Sequence, residues 1–233
     1  MILLTGGSGL LGTELRNYIP DCYAPTKDIL DLRKDFLLEE LPSLIVHAAA
    51  FTNVNLAEEE QKECYEVNVL GTERLAKVGV PMIYISTDSV FGGSSGNYKE
   101  DDIPYPLNFY SFTKLLGEIK ALMNGHKVIR TSFKERPWKH DFAFYDQFSS
   151  ADYVDMIAPK ISRAIKRYKE LPDIMHIGGR FKKISSFDLA FLTKPGVEQS
   201  SIADLEGVAR RPKDTSLDCS RWEAFCGKDL LHI

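Results

Sequence analysis

Apolar and polar positions come in blocks along this chain. "MILLTGG" is a short apolar run ending in glycines, the pattern of a buried strand that reaches a tight turn. "LLGTELRNYI" follows with apolar residues at helical spacing. "LPSLIVHAAAF" and "VPMIYISTDSVF" are continuous, β-rich apolar runs, as expected of parallel strands covered on both faces. Between them, "AEEEQKECYEVNVLGTERLAKV" reads as helix with charged exposed positions. "FYSFTKLLGEIKALM" is a further amphipathic helix and "HKVIRTSF" a further strand. Strand alternating with helix predicts a parallel α/β sheet with right-handed crossovers.

The pattern changes after about Arg130. "FKERPWKHDFAFYDQFSSADYVD" is aromatic-rich and irregular. "MIAPKISRAIKRYKEL" then reads as helix, "DIMHIGG" as strand and "ISSFDLAFLT" as helix. The expected fold is a Rossmann-type doubly wound parallel sheet over residues 1–133, with a small C-terminal substrate-binding lobe over 134–233. About 172–194 is expected to return to the core sheet.

Composition narrows the function. A chain of 233 residues with 44% hydrophobic and 27% charged content suits one large globular domain with a small lobe. A net charge of −4 gives no basic footprint for nucleic acid. The apolar runs are too short to span a membrane, and the opening residues lack the charged segment of a signal peptide. Cys22, Cys64, Cys219 and Cys226 contain no Cys-x-x-Cys pair and are expected as free thiols of a cytoplasmic protein. His126, His140, His176 and His232 show no ligand spacing, His47 on a buried strand is read as structural, and no metal is expected.

The chemistry begins at "TGGSGLLG", with Gly6, Gly7, Ser8, Gly9, Leu10, Leu11 and Gly12. Glycine is needed there for the tight turn, for close approach to a pyrophosphate and for helix–strand packing. The motif follows a strand and opens a helix, the context that makes it a dinucleotide-binding signal. The second strand should end near "YAPTKD", where Lys27 leans the choice from NADH toward NADPH.

Two Tyr-x-x-x-Lys pairs are present. Pro25 lies inside the first, Tyr23 and Lys27, so that pair is not expected to be helical. Tyr110 and Lys114 lie in a proline-free helix and share a face. They follow "YISTDSVF", which brings Ser86, Thr87 and Asp88 to the end of a strand, where open α/β sheets bind ligands. A free tyrosine titrates near pH 10, and a nearby ammonium would lower that value. Tyr110 is therefore the candidate proton donor to a carbonyl, Lys114 its tuning cation and Thr87 the hydroxyl that holds the carbonyl oxygen.

Together "TGGSGLLG", "HAAAFTNVNLAE", "YEVNVLGT", "ISTDSVFGG", "GNYKEDDIPYPLNFYSFTKLLGE" and "ARRPKDTSLDCSRW" resemble the extended short-chain dehydrogenases/reductases. The chain looks most like the dTDP-4-dehydrorhamnose reductase family of sugar-nucleotide reductases. The resemblance implies that Gly6, Gly9 and Gly12 hold the pyrophosphate, and that Asp31 and Leu32 contact adenine. Ala48, Ala49 and Ala50 would line the cofactor after a fourth strand, with Asn68 near it and Arg130 and Thr131 flanking the nicotinamide. Thr87, Tyr110 and Lys114 match the catalytic trio, and Lys114 would also bond the nicotinamide ribose.

Asp88 and Ser89 stand where sugar-nucleotide dehydratases carry Asp-Glu, which disfavours dehydration. Asp88, Ser89, Trp138 and Arg211 are the candidate substrate contacts. Trp138 could stack on a base or sugar or anchor a loop, and Arg211 could grip a diphosphate. The resemblance implies an NAD(P)H-dependent reductase of a nucleotide-linked 4-keto-6-deoxy sugar, and a possible homodimer. An epimerase, or a non-catalytic regulatory subunit like relatives that regulate methionine adenosyltransferase, remains open.

Overall fold

A computed structural model describes residues 1–205 and 209–227; His232 lies outside the described residues. Six parallel strands form the central sheet: β1 (Ile2–Thr5), β2 (Cys22–Tyr23), β3 (Leu44–His47), β4 (Met82–Thr87), β5 (Lys127–Thr131) and β6 (Ile174–Ile177). Their spatial order is β6-β5-β4-β3-β1-β2. This is the expected Rossmann-type doubly wound arrangement.

Adjacent strand residues point to opposite faces. Leu4, Val46, Ile83 and Ile129 therefore join one apolar cluster, while Leu3, Ile45, Tyr84 and Val128 join another. Both faces are covered, so the strands read as unbroken apolar runs. Helices α1 (Leu10–Arg16) and α3 (Val154–Lys166) cover the first face, and α2 (Phe109–Met123) packs on β4 and β5. A full burial of one such Leu or Ile contributes about 1.5–3 kcal/mol.

Residues 24–43 contain turns but neither helix nor strand. Charged residues interrupt every apolar run there, between Pro25 and Pro42. The chain passes straight from β2 to the far side of β1. Ala48–Ala50 consequently follow a third strand, not a fourth.

The return to the core is also broader than residues 172–194. Val154, Ile157 and Ile161 of α3 enter the core cluster, as do Trp222 and Cys226 near the end of the described chain. Phe187 and Ala190 instead pack with Trp138, Ala143 and Val197 in a separate apolar cluster. Three two-stranded ladders complete that region. No helix among the described residues is long and apolar enough to cross a membrane.

Candidate active site

The strand order reverses at β1, between its neighbours β2 and β3, where open sheets form their ligand crevice. Gly6 has φ of +73°, which favours glycine. A Cβ on Gly6 would lie 2.6 Å from the Ala49 nitrogen. One on Gly12 would lie 2.1 Å from the Gly6 carbonyl oxygen. These positions let the turn close against Ala48–Ala50, which are all half-buried. The outer side of the turn is open. Ser8, Gly9 and Leu10 border a cavity of about 470 Å³ together with Glu135, Arg136 and Asp155. Leu11 does not face it, because its side chain is packed in the core beside Leu15.

Thr87 ends β4, opposite Thr131 of β5. Tyr110 sits in the first turn of α2. Asn108 sets that start: its Oδ1 accepts from the Ser111 N–H at 2.8 Å. Glu58 adds a second tie by accepting from the Phe109 N–H at 2.8 Å. The helix packs on β4 and on the Asp88–Val90 turn that follows it, which brings Tyr110 to the end of the strand that carries Thr87. Burial pushes the Tyr110 pKa well up, the Asp88 carboxylate adds to this, and the Thr87 hydroxyl opposes it.

Lys114 behaves differently from the expectation. Its Nζ donates to the Ile85 carbonyl at 2.8 Å and lies 4.1 Å from the centre of the Tyr84 ring. Burial lowers its pKa to about 7, opposed by the Glu118 carboxylate. The groups that set Tyr110 are its burial, Asp88, Thr87 and Cys64, so the expected downward tuning by Lys114 is replaced by an upward shift.

Asp88 is buried beside Thr87. It accepts from Thr215 at 2.6 Å, from Thr87 at 3.2 Å and from Ser89 at 3.3 Å. Burial raises its pKa. Two cations share this region. Arg211 donates from Nη2 to Asn55 Oδ1 at 2.9 Å, while its Nε is buried without a partner among the described residues. The charge of Lys134 interacts with both Asp88 and Arg211. Lys134, Thr215 and Asn55 were not evident in the sequence.

Several expected contacts lie elsewhere. Ser86 points away from Thr87 and donates to Glu118 Oε1 at 2.6 Å. Arg130 forms a buried fork with the same carboxylate, with Nη2 to Oε2 at 2.8 Å and Nε to Oε1 at 3.0 Å. Neither side chain is left for the cofactor. Thr131 is buried, and its hydroxyl has no partner among the described residues.

Asn68 is 1% exposed. It accepts from the Phe51 N–H at 2.8 Å and donates to the Phe51 carbonyl at 3.1 Å, so it fixes the loop after Ala50 rather than touching a ligand. It lies in a π-helical stretch, Glu66–Gly71, a form frequent near functional sites.

Leu32 is buried in the core. Asp31 is forked by Arg33, with Nη2 to Oδ2 at 2.7 Å. Lys27 is largely exposed and lies 3.5 Å from Glu63. Trp138 is a loop anchor, donating from Nε1 to the Phe142 carbonyl at 3.3 Å.

His47 and His176 are fully buried in polar networks. His47 bridges Thr5 at 2.7 Å and Thr72 at 3.0 Å. Burial lowers both pKa values to about 3, aided by the charges of Lys114 and Arg130 respectively. Because the unfolded histidine binds a proton first, this stability is complete above about pH 6.5 and is lost as pH falls toward 3. Urea unfolding should show stability falling by about 1.4 kcal/mol per pH unit for each histidine below that point. Between pH 6.5 and 5, His47→Gln should flatten the decline; an identical slope would refute the assignment.

Residues 1–232 match the family model described as RmlD substrate binding domain. Methionine adenosyltransferase 2 subunit beta of Xenopus laevis is 36% identical over 150 residues, covering 55% of this chain and 45% of that protein. The dTDP-4-dehydrorhamnose reductase of Sinorhizobium fredii is 30% identical over 222 residues, covering 80% of this chain and 75% of that one. The solved dTDP-4-dehydrorhamnose reductase of Bacillus anthracis str. Ames, in complex with NADP, has a TM-score of 0.77 and 25% identity, covering 94% of this chain and 89% of that one. The chain spans only 45% and 54% of the first two curated relatives it matches.

Proposed function

The chain belongs to the RmlD substrate binding domain family, and from that premise we propose that it is an NAD(P)H-dependent reductase of a nucleotide-linked 4-keto-6-deoxy sugar. The observation that supports this is the packing of α2, which bears Tyr110 and Lys114, against β4, which ends at Thr87. The B. anthracis relative holds NADP. The Gly6–Gly12 turn fits such a group, because a Cβ at Gly6 or Gly12 would collide with backbone while the side facing the cavity is open. A bound dinucleotide would lie along this turn and Ala48–Ala50, and its nicotinamide would supply hydride.

The protein then has two tasks. Thr87 offers a hydroxyl to hold the carbonyl oxygen, and Tyr110 donates a proton to that oxygen as negative charge develops there. Tyr110 is suited to start as the acid, since its raised pKa keeps it protonated at neutral pH. Lys114, with a pKa of about 7, can change charge in the working range. Arg211, with its unpartnered Nε, is the candidate contact for the substrate's diphosphate.

A regulatory subunit has support in the similarity to methionine adenosyltransferase 2 subunit beta. The retained Thr87, Tyr110 and Lys114 favour the reductase, because binding alone does not require a proton donor. Four free cysteines fit a reducing cytoplasm. Phe112, Ile119 and Met123, exposed on one face of α2, support a homodimer.

The test is oxidation of NADPH or NADH with dTDP-linked and other nucleotide-linked 4-keto-6-deoxy sugars. Net consumption of reduced cofactor is expected, and it separates a reductase from an epimerase. Tight cofactor binding without turnover of any keto sugar nucleotide would overturn the proposal.

A further inference from the structure

Residues 210–217 tie together three regions around the end of β4. The Arg210 carbonyl accepts from Asn108 Nδ2 at 2.9 Å, at the start of α2. The Asp214 N–H donates to the Gly93 carbonyl at 3.2 Å, just past the turn that follows β4. The Phe148 N–H donates to the Lys213 carbonyl at 2.7 Å, and the Thr215 N–H to the Phe148 carbonyl at 2.9 Å. Gly93 and Gly96 permit this approach. A Cβ on Gly93 would lie 2.6 Å from the Lys213 nitrogen, and one on Gly96 2.3 Å from the Asp214 carboxylate. The Thr215 backbone is therefore fixed without help from its side chain.

That side chain is turned inward onto Asp88, and both residues are only 4% exposed. Thr215 Oγ1 donates to Asp88 Oδ2 at 2.6 Å, within the range of a strong bond to a carboxylate. The Phe148 carbonyl, at 3.5 Å, is a much poorer acceptor for the same hydrogen. Among the described residues, the side-chain donors to the Asp88 carboxylate are all hydroxyls. Thr87 and Ser89 reach Oδ1 only at 3.2 and 3.3 Å, longer than an ordinary O–H···O bond. Thr215 thus supplies the one short bond to this carboxylate.

Thr87 has a single hydroxyl hydrogen. Its oxygen accepts from the Ser89 N–H at 3.1 Å. Its hydrogen is shared loosely between Asp88 Oδ1 and Ser89 Oγ, at 3.2 Å each. To hold a carbonyl oxygen, Thr87 must turn that hydrogen away from Asp88 and toward the substrate. A buried carboxylate short of donors would keep it, because leaving such a group unsatisfied is costly. We propose that Thr215 is a positioning residue of the reaction centre: its hydroxyl satisfies Asp88 and so leaves the Thr87 hydrogen free for the carbonyl oxygen. The proposal rests on Thr87 being the hydroxyl that holds that oxygen.

The test uses the full chain carrying Thr215→Val, which keeps the shape of the side chain and removes its hydroxyl. Thr215→Ala is the second removal and Thr215→Ser the conservative variant. Isotope-labelled aspartate lets the Asp88 carboxyl be titrated by NMR, assigned through Asp88→Asn. Burial, the charge of Lys134, the Tyr110 phenol and the hydroxyls of Thr87 and Ser89 also act on this carboxyl, and the substitution removes none of them. Loss of the Thr215 bond should move the Asp88 titration up by about one to two pH units, and serine should restore it. Sugar-nucleotide reduction should lose roughly ten- to a hundredfold in kcat, with KM and NADPH affinity nearly unchanged, again recovered by serine. In a chain already carrying Thr87→Ala, Thr215→Val should cost almost nothing further, because both act on one hydroxyl. An unmoved Asp88 titration would overturn the proposal. So would a full further loss in the double variant, which would mean that Thr215 does not act through Thr87. If the unaltered protein reduces no keto sugar nucleotide, the proposed function fails, while the Asp88 titration still decides whether Thr215 governs that carboxylate.

Discussion

Tyr110→Phe is expected to lower kcat by about 10²–10⁴-fold while leaving cofactor affinity within a few-fold. The substitution removes one oxygen and keeps the ring. Thr87 keeps its partners, because its hydroxyl bonds Asp88 and Ser89 at 3.2 Å each. Removing a single hydroxyl costs about 1 kcal/mol even where it carries a hydrogen bond, so the fold should survive. In the proposed reduction, what disappears is the proton that reaches the carbonyl oxygen as hydride arrives. Thr87→Ala should cost less, about 10²–10³-fold, since it removes a donor to that oxygen but no proton source. Steady-state reduction assays, paired with fluorescence titration of NADPH, measure both quantities. A Tyr110→Phe variant within about threefold of the parent would remove Tyr110 from the chemistry.

The sequence made the crevice legible because backbone requirements leave residue-type signatures. Gly6 and Gly12 are glycine for steric reasons that any reader of a strand–turn–helix can apply. The helix bearing Tyr110 and Lys114 was visible from its apolar period and the absence of proline. Side-chain direction was harder. Ser86 and Thr87 are neighbours, as are Arg130 and Thr131, and each pair ends a strand. Period-2 alternation sends Ser86 and Arg130 to the face that meets Glu118 of α2, while Thr87 closes β4 and turns its hydroxyl to Asp88 and Ser89. Sequence position alone brought both Ser86 and Thr87 to the ligand end of their strand, and the resemblance gave Arg130 and Thr131 one shared role.

Glu118 did carry a signal, since it stands one helical turn beyond Lys114 and on the same face. Lys134 carried none. A lysine in "FKERP" looks like any solvated charge, and its setting depends on the register of β4 with β5 and on residues some eighty positions later in the chain. Lys114 was correctly placed on the helix, but its ammonium is held by the Ile85 carbonyl, a contact across the sheet that no local pattern encodes.

The largest stability effect is expected at Glu118, where Glu118→Ala should cost about 3–5 kcal/mol. The carboxylate and the Arg130 guanidinium are 1% and 3% exposed. Removing the carboxylate leaves Arg130 charged and buried, with weaker contacts to the Glu100 carbonyl at 3.3 Å and His176 at 3.4 Å. It also frees the Ser86 hydroxyl, one residue before Thr87. A native stability of roughly 5–15 kcal/mol makes such a loss severe. The penalty comes from the abandoned charge rather than from the strength of the pair. A double variant, Glu118→Leu with Arg130→Met, should therefore recover most of it, because both charges leave together and the volume is retained. Urea unfolding of the parent, both single variants and the double variant gives the coupling energy directly. Equal losses in Glu118→Ala and the double variant would mean that packing, not an unpaired guanidinium, sets the cost. A recovered fold would further allow catalysis to be compared without the buried pair, and so show whether Ser86 needs Glu118 to hold the end of β4 in place for Thr87.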